Sequence, residues 1–177
     1  MEKLFKQLSD TQATLFHLFQ KTWIYHWDVV GPDFYQLHTV FGNQYETMFE
    51  EIDTLTEHMR YLGMRPVSTL TRVVEVSHIE GASNSNQMVD ADGMVTQLLS
   101  DNKKIIEMLT DASEEADKQK QYATANLVQS IMETHGKFVW MLRSFTEKSP
   151  KNVKEDVQII QPEVEEEIIE EEIQTEG

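Results

Sequence analysis

Two histidines near the start of the chain delimit the segment HWDVVGPDFYQLH, which runs from His26 to His38. A Gly-Pro pair between them ends any helix that carries the first histidine. Asp53 follows His38 by fifteen residues, and Glu57 comes four residues later, on the same helical face as Asp53. Imidazole nitrogens and carboxylate oxygens together suit iron, manganese or zinc, and the chain has no cysteine. These four residues are therefore the candidate metal ligands.

Each candidate also has a simpler structural interpretation. A histidine in a helical core is more often a hydrogen-bonded structural residue than a metal ligand. Asp53 and Glu57, taken alone, are typical of a solvated helix face. Three aromatic residues beside the first histidine are most simply core side chains at helical spacing: Trp23, Tyr25 and Trp27.

The spacing of apolar residues predicts four long helices that would position these side chains. They cover about residues 2–29, 34–62, 90–117 and 119–147, with Asp33 as a cap of the second helix and Gly63 as its terminator. A short helix, capped by Ser68, is predicted in the long middle connection, and GASNSNQ reads as a loop. The predicted fold is all-α, a ferritin-like four-helix bundle with a short helix in that connection.

Helix geometry constrains where a shared ion could sit. Fifteen residues along one helix correspond to about 22 Å, so Asp53 cannot join His38 of its own chain on one ion. His26 can approach His38, because the antiparallel hairpin brings those helix ends together. A four-ligand site then needs the acids of a second chain, and a two-fold dimer would contain two such sites.

Composition limits the possible class of protein. The chain has 177 residues, 40% of them hydrophobic, with no N-terminal signal-like run and no apolar stretch of the ~20 residues that span a bilayer. We therefore expect a cytoplasmic protein that does not enter membranes. The net charge of −16 repels phosphates, so DNA binding is not expected.

The C-terminal segment differs in composition from the rest of the chain. Residues 151–177 contain ten acids and two lysines, a net charge of −8, and no aromatic residue. We predict a domain over residues 1–149 and an acidic tail over residues 150–177. The tail is either disordered or a docking segment for an unknown partner.

The segment HWDVVGPDFYQLHTVFGNQYETMFEEIDTLTEHMRYLG closely resembles the Dps family, the mini-ferritins of bacteria and archaea. That family reads approximately H-W-x-V-x-G-x-x-F-x-x-L-H, followed by an aspartate fifteen residues later and a glutamate four beyond it. Every one of these spacings is met here. The segment FVWMLRSF also resembles the W-M-L-R ending of the family, and the resemblance extends over residues 1–148.

This resemblance implies a homo-oligomer, a hollow dodecamer with ferroxidase sites between two-fold partners. His26 and His38 would come from one subunit and Asp53 and Glu57 from the other. The implied reaction is oxidation of Fe²⁺, preferably by hydrogen peroxide, with the Fe³⁺ mineral stored inside. By the same analogy, Trp27 would lie near the iron and absorb oxidising equivalents.

The sequence departs from the family near the second histidine. Many members place acids shortly after it, which help to hold a second iron, and the matching residues here are Thr39, Gly42 and Asn43. A second high-affinity iron is therefore doubtful. Nearby glutamates that could substitute for those acids are Glu46, Glu50 and Glu51.

A second departure concerns the entry pore. Family members carry acids on the fourth helix, where this chain has Asn126 and Gly136. Either iron enters elsewhere, near Glu133 and His135, or the pore attracts cations less strongly. Two other functions stay open: a non-catalytic cage whose acidic tail recruits a partner, and a DNA-protecting protein.

Overall fold

The computed structural model describes residues 1–82 and 89–147. Within these ranges the chain forms five helices and no strand: α1 (Glu2–Asp28), α2 (Phe34–Tyr61), α3 (Leu70–Val76), α4 (Ala91–Lys118) and α5 (Tyr122–Thr146). Residues Met1–Glu147 form one compact unit. The prediction of an all-helical bundle with a short helix in the middle connection is confirmed. Among the described helices, none is long and apolar enough to cross a membrane.

The helices pack through their apolar faces. α1 contacts α2, α3 and α4, and α4 lies along α5. The core between them consists mainly of leucine, isoleucine and methionine side chains at helical spacing, as the apolar periodicity predicts. The largest fully buried members are Phe41, Leu4, Leu8, Leu15, Leu18, Met48, Leu55, Met59, Leu98, Ile105, Leu109 and Leu142.

Left-handed residues end two of the long helices. Gly63, with φ of 80°, follows α2, and its N–H donates to the Arg60 carbonyl at 3.0 Å, while Met64 donates to Met59 at 2.9 Å. This is the Schellman pattern, which glycine favours. Lys120, with φ of 58°, makes the same pattern after α4, although it is not a glycine. Because this turn occupies residues 119–121, α5 begins at Tyr122 and not at the predicted residue 119.

The helix caps differ in part from the predictions. α3 is capped by Thr69, whose hydroxyl accepts from the Arg72 N–H at 3.3 Å, and not by the neighbouring Ser68. Asp33 does precede α2, but its side chain makes no capping hydrogen bond. Asp90 caps α4 by accepting from the Gly93 N–H at 2.9 Å.

A polar seam ties α1 to the stretch that follows α3. Lys21 lies almost fully buried and donates to the Asp101 carboxylate at 2.7 Å and to the Glu80 carbonyl at 3.1 Å. His17 contacts the Ser77 hydroxyl at 2.9 Å, and its burial, together with the nearby Lys21 charge, lowers its pKa. Burial raises the pKa of Asp101, although the Lys21 partner acts in the opposite direction.

Two predictions concern residues that the structure does not describe. The predicted loop at 81–87 falls largely within residues 83–88, and the predicted tail over 150–177 falls within residues 148–177. The boundary at residue 149 and the two alternatives for the tail stay predictions.

Candidate metal centre

The corner between α1 and α2 brings the two candidate histidines together. His26 lies in the last turn of α1, and His38 lies near the start of α2. Between them the chain reverses through Val29, which has an extended backbone, and Gly31, whose φ of 112° suits only a residue without a side chain. The two imidazole rings stack with centroids 3.7 Å apart and an interplanar angle of 19°.

Each histidine is held by the backbone of the other. The Nδ1 of His26 lies 2.7 Å from the His38 carbonyl oxygen, and the Nδ1 of His38 lies 2.8 Å from the His26 carbonyl oxygen. A carbonyl oxygen can only accept, so both Nδ1 atoms must donate. In the neutral rings the lone pair is therefore on Nε2. An imidazole oriented by a carbonyl through one nitrogen is the usual arrangement of a histidine that binds metal through the other.

Gly42 makes room for the first histidine. A Cβ atom at this position would lie 3.3 Å from both Cε1 and Nδ1 of His26, closer than ordinary van der Waals contact. The residue that replaces a possible acidic ligand is therefore also the residue that lets the His26 ring lie against α2. The sequence analysis identified Gly42 only as a position where an acid common in the family is missing, and it did not predict this steric role.

The candidate acids lie far from the histidines of their own chain. α2 continues unbroken from Phe34 to Tyr61, which separates His38 from Asp53 by about 22 Å along the axis. Asp53 and Glu57 are both exposed on this helix, four residues apart. Among the described residues of one chain, no three histidine or acidic side chains come close enough to share an ion. One subunit thus presents the histidine pair and the acidic pair at two separate places.

An open apolar groove lies beside Asp53. It has a volume of about 940 Å³ and runs between α1, α2 and the start of α3. Its walls contain Phe19, Trp23 and Phe49, and three acids of α2 lie along its edge: Glu46, Glu50 and Asp53. Exposed aromatic side chains around an apolar groove are typical of a surface that contacts another protein.

Two of the three aromatic residues near His26 are not core side chains. Tyr25 is buried, as the core interpretation requires, and its hydroxyl donates to Gln97 at 2.5 Å. Trp23 and Trp27 are exposed, and their rings lie 4.7 Å apart. The sequence analysis interpreted all three as core side chains, but positions 23 and 27 lie a turn apart on one face of α1, and position 25, two residues from each, faces away from it.

His135 does not line an entry route from the surface. Its side chain is fully buried, with Nδ1 2.6 Å from Asn102 Oδ1 and Nε2 3.3 Å from the carboxylate of Glu51. Glu51 therefore faces the core of the bundle and cannot replace a missing acid beside the histidine pair. Glu133 is exposed and pairs with Lys137 at 2.9 Å, which lowers the pKa of the Glu133 carboxyl.

The sequence analysis did not predict this buried polar cluster, which joins three helices. Glu51, Asn102 and His135 come from α2, α4 and α5, and no local pattern joins them. The only signal was a histidine on an otherwise apolar face, which predicts a satisfied core histidine.

Comparison with known proteins places the chain in a family. A family model described as "Ferritin-like domain" matches residues 5–151. The chain is 34% identical over 144 residues to an uncharacterized low temperature-induced protein of Nostoc sp., covering 81% of this chain and 79% of that protein. It is 32% identical to DNA protection during starvation protein 2 of Bacillus anthracis, covering 82% of this chain and 94% of that protein.

Solved structures agree with the sequence matches. Dps from Bacillus brevis superposes with a TM-score of 0.78 at 31% identity, covering 82% of this chain and 96% of that one. Dps from Staphylococcus aureus gives a TM-score of 0.79 at 27% identity, covering 84% and 97%. The chain belongs to the ferritin-like family, and within that family it is a Dps mini-ferritin.

Proposed function

We propose that this protein is a ferroxidase and an iron-storage cage. Fe²⁺ is the substrate, hydrogen peroxide is the preferred oxidant, and Fe³⁺ is stored as mineral inside a homo-oligomer, a dodecamer built from two-fold dimers. Each site takes His26 and His38 from one subunit and Asp53 and Glu57 from its partner. For two iron ions, the reaction is 2 Fe²⁺ + H₂O₂ + 2 H⁺ → 2 Fe³⁺ + 2 H₂O.

The observation that carries this proposal is the reciprocal pair of hydrogen bonds between the histidines. It leaves two Nε2 atoms as ligands on neighbouring, stacked rings at the end of the bundle. Two ligands do not complete a site, and the chain's own acids are too far away. The exposed Asp53, at the edge of an apolar groove, and the exposed Glu57, one turn further along α2, supply the missing ligands when a second copy packs antiparallel against the first.

The ligand chemistry supports iron oxidation. Nitrogen and carboxylate oxygen donors stabilise the ferric more than the ferrous state, and four protein ligands leave room on the ion for an oxidant. Removal of Fe²⁺ and peroxide together prevents the one-electron reaction that forms hydroxyl radicals. Such a role agrees with the names of several relatives, which include a general stress protein of Bacillus subtilis.

Anaerobic mixing of Fe²⁺ with hydrogen peroxide tests the activity, with ultraviolet absorbance of Fe³⁺ as the readout. We expect fast oxidation by the parent and slow oxidation by Glu57→Ala and Asp53→Ala, with normal assembly in both variants. Glu107→Ala, which removes an exposed acid from α4, is the matched control and should behave as the parent. Oxidation at the parent rate in Asp53→Ala would show that the ligand assignment is wrong.

Mixed oligomers test whether the site is shared between subunits. One chain carries His26→Ala and His38→Ala, and the other carries Asp53→Ala and Glu57→Ala, so that neither forms a complete site alone. Random reassembly makes half of the dimers mixed, and each mixed dimer has one complete site of two. About a quarter of the parent activity should return. A site built within one chain predicts no recovery.

A DNA-protecting function is the second candidate, because several relatives are named DNA protection during starvation proteins. The net charge of −16 opposes direct contact with a phosphate backbone. We therefore propose protection through removal of iron and peroxide, without DNA binding. A gel shift with and without magnesium checks this, and a retarded band in either lane would contradict it.

A further inference from the structure

Residues 77–82, which follow α3 and are here called the strap, lie against α1. They form no helix, and none of these residues is fully buried. Their apolar members, Ile79 and Ala82, pack only partly against the core. A segment with so little buried apolar surface can open locally at a lower free-energy cost than the helices of the bundle.

Three side chains of α1 hold the strap: Thr14, His17 and Lys21. Thr14 accepts a hydrogen bond from the His78 N–H at 3.1 Å, and Lys21 donates one to the Glu80 carbonyl at 3.1 Å. Of the three, only histidine changes its charge near neutral pH. The closure of the strap can therefore depend on the protonation of His17.

The strap contacts both nitrogen atoms of the His17 ring. The Nδ1 atom lies 2.9 Å from the Ser77 hydroxyl oxygen. A Cβ atom at Gly81 would lie 3.1 Å from Nε2, so the strap backbone also reaches the other side of the ring. As a result, His17 is only 6% exposed. A positive charge on this ring is poorly hydrated while the strap is closed.

The charged groups of the two helices around His17 act in opposite directions. Burial lowers the pKa of His17 most, and the charge of Lys21, one turn further along α1, lowers it further. Asp101 on α4 raises the pKa of His17, but its carboxylate already binds Lys21 at 2.7 Å. The closed strap therefore favours the neutral ring.

The strap itself carries two further titratable groups, His78 and Glu80. The Nε2 atom of His78 lies 3.5 Å from the Asp10 carboxylate, so a protonated His78 would favour the closed strap. This pair contributes little, because the His78 side chain is 45% exposed and Asp10 also binds Lys6. Glu80 is exposed and screened by water and salt. We therefore expect His17 to dominate the response to acid.

We propose that protonation of His17 releases the strap from α1 while the helices of the bundle stay folded. This inference does not rest on the proposed ferroxidase function. With the strap open, the ring is hydrated and its pKa returns toward the ordinary value of 6.5, whereas the closed state has a lowered pKa. Protons therefore bind the open state more tightly. The population with an open strap should rise by up to about tenfold for each pH unit below 6.5, until the lowered pKa is reached.

Amide hydrogen exchange of the assembled protein, read by mass spectrometry of its peptides, tests this proposal without any metal. The His78 N–H is the direct probe, because its hydrogen bond to Thr14 exists only with the strap closed. Rates are compared one pH unit above and one below 6.5 and corrected for the intrinsic effect of pH on exchange. We expect a rise of up to about tenfold in the acid sample. At both pH values, strap amides should exchange far faster than those of α4 around Leu109, since the opening is local.

Two variants identify the responsible histidine. His17→Gln keeps a polar side chain but removes the titratable ring, so the rise in acid should disappear. His78→Gln removes the histidine of the strap itself and should keep the rise. A rise that survives in His17→Gln, or that disappears in His78→Gln, would overturn the role of His17. Strap amides that exchange as slowly as the core of α4 would show that no local opening exists.

A second measurement does not depend on the variants folding. Exchange of the hydrogen on Cε1 of histidine, followed by mass spectrometry of the parent across the same pH range, reports the titration of each ring. His17 should exchange slowly, with a midpoint below 6.5. A midpoint at or above that value would overturn the proposal, because protonation would then favour the closed strap or have no effect on it.

Discussion

Substitution of Gly42 by alanine should change the stability of the bundle and the metal affinity of the candidate centre in opposite directions. Alanine is favoured over glycine within a helix by about 1 kcal/mol, so the substitution should help α2 itself. The added Cβ would lie 3.3 Å from two atoms of the His26 ring, which must move by a few tenths of an ångström. That ring donates a hydrogen bond of 2.7 Å to the His38 carbonyl, and the His38 ring donates one of 2.8 Å to the His26 carbonyl, so the shift disturbs both histidines.

The two effects have opposite signs and are measured separately. Displacement of the groups that orient a metal-bound histidine typically weakens metal binding by roughly 10- to 100-fold. We expect that loss in Gly42→Ala, measured by calorimetric titration with Zn²⁺ as a probe that does not change its oxidation state. Urea unfolding should show a stability equal to the parent or higher.

Gly136→Ala is the matched control for this experiment. Gly136 lies within α5, and a Cβ atom there would meet no other atom within 4 Å. The same helix preference of about 1 kcal/mol applies, so Gly136→Ala should raise stability and leave Zn²⁺ binding unchanged. If Gly42→Ala binds Zn²⁺ as tightly as the parent and Gly136→Ala, the His26 ring has free space and the steric reasoning is refuted.

Two further predictions concern the polar seam of α1. Lys21→Met leaves the partly buried Asp101 carboxylate without its cation, which should cost roughly 3–5 kcal/mol in urea unfolding. Stability should recover when Asp101→Leu is added, and an unchanged midpoint in the single variant would contradict the role of the ion pair. The pKa of His17 is lowered in the fold, so protonation favours the unfolded chain. Stability should therefore decrease as the pH falls below the ordinary pKa of 6.5 toward the lowered pKa of His17. Unfolding midpoints measured across this interval should depend less on pH in His17→Gln, and an equal dependence in parent and variant would refute the argument.

The fold was predictable because its signals are local. Apolar residues repeat at three and four positions, and the left-handed Gly31 and Gly63 end helices where the sequence places them. The start of α5 was predicted three residues early, because a lysine in the left-handed conformation closes α4 and lysine is not a residue that marks such a turn. The cap of α3 was assigned to Ser68, since serine and threonine next to each other are equivalent in pattern and only the backbone conformation selects Thr69.

The candidate site was predictable only in part. The approach of His26 to His38 follows from a hairpin, and the separation of Asp53 from them follows from helix rise. The reciprocal hydrogen bonds and the demand on Gly42 depend on how closely two helices approach, which no spacing encodes. His135 illustrates the same limit, because its own segment predicts a buried histidine but does not predict its partners Asn102 and Glu51, which come from two other helices.

The crossed hydrogen bonds between the two histidines have a consequence for folding and for damage. They join residues only twelve positions apart in the chain, so their formation closes a short loop at small entropic cost. The geometry of the two proposed ligands is thus set by contacts within one helical corner. Cavities introduced between α4 and α5, for example at Leu109, should reduce the population of folded molecules while each remaining folded molecule keeps an intact pair of imidazoles. The geometry of the two histidines and the stability of the whole bundle therefore depend on different parts of the sequence. Substitutions can change one of these properties while the other stays the same.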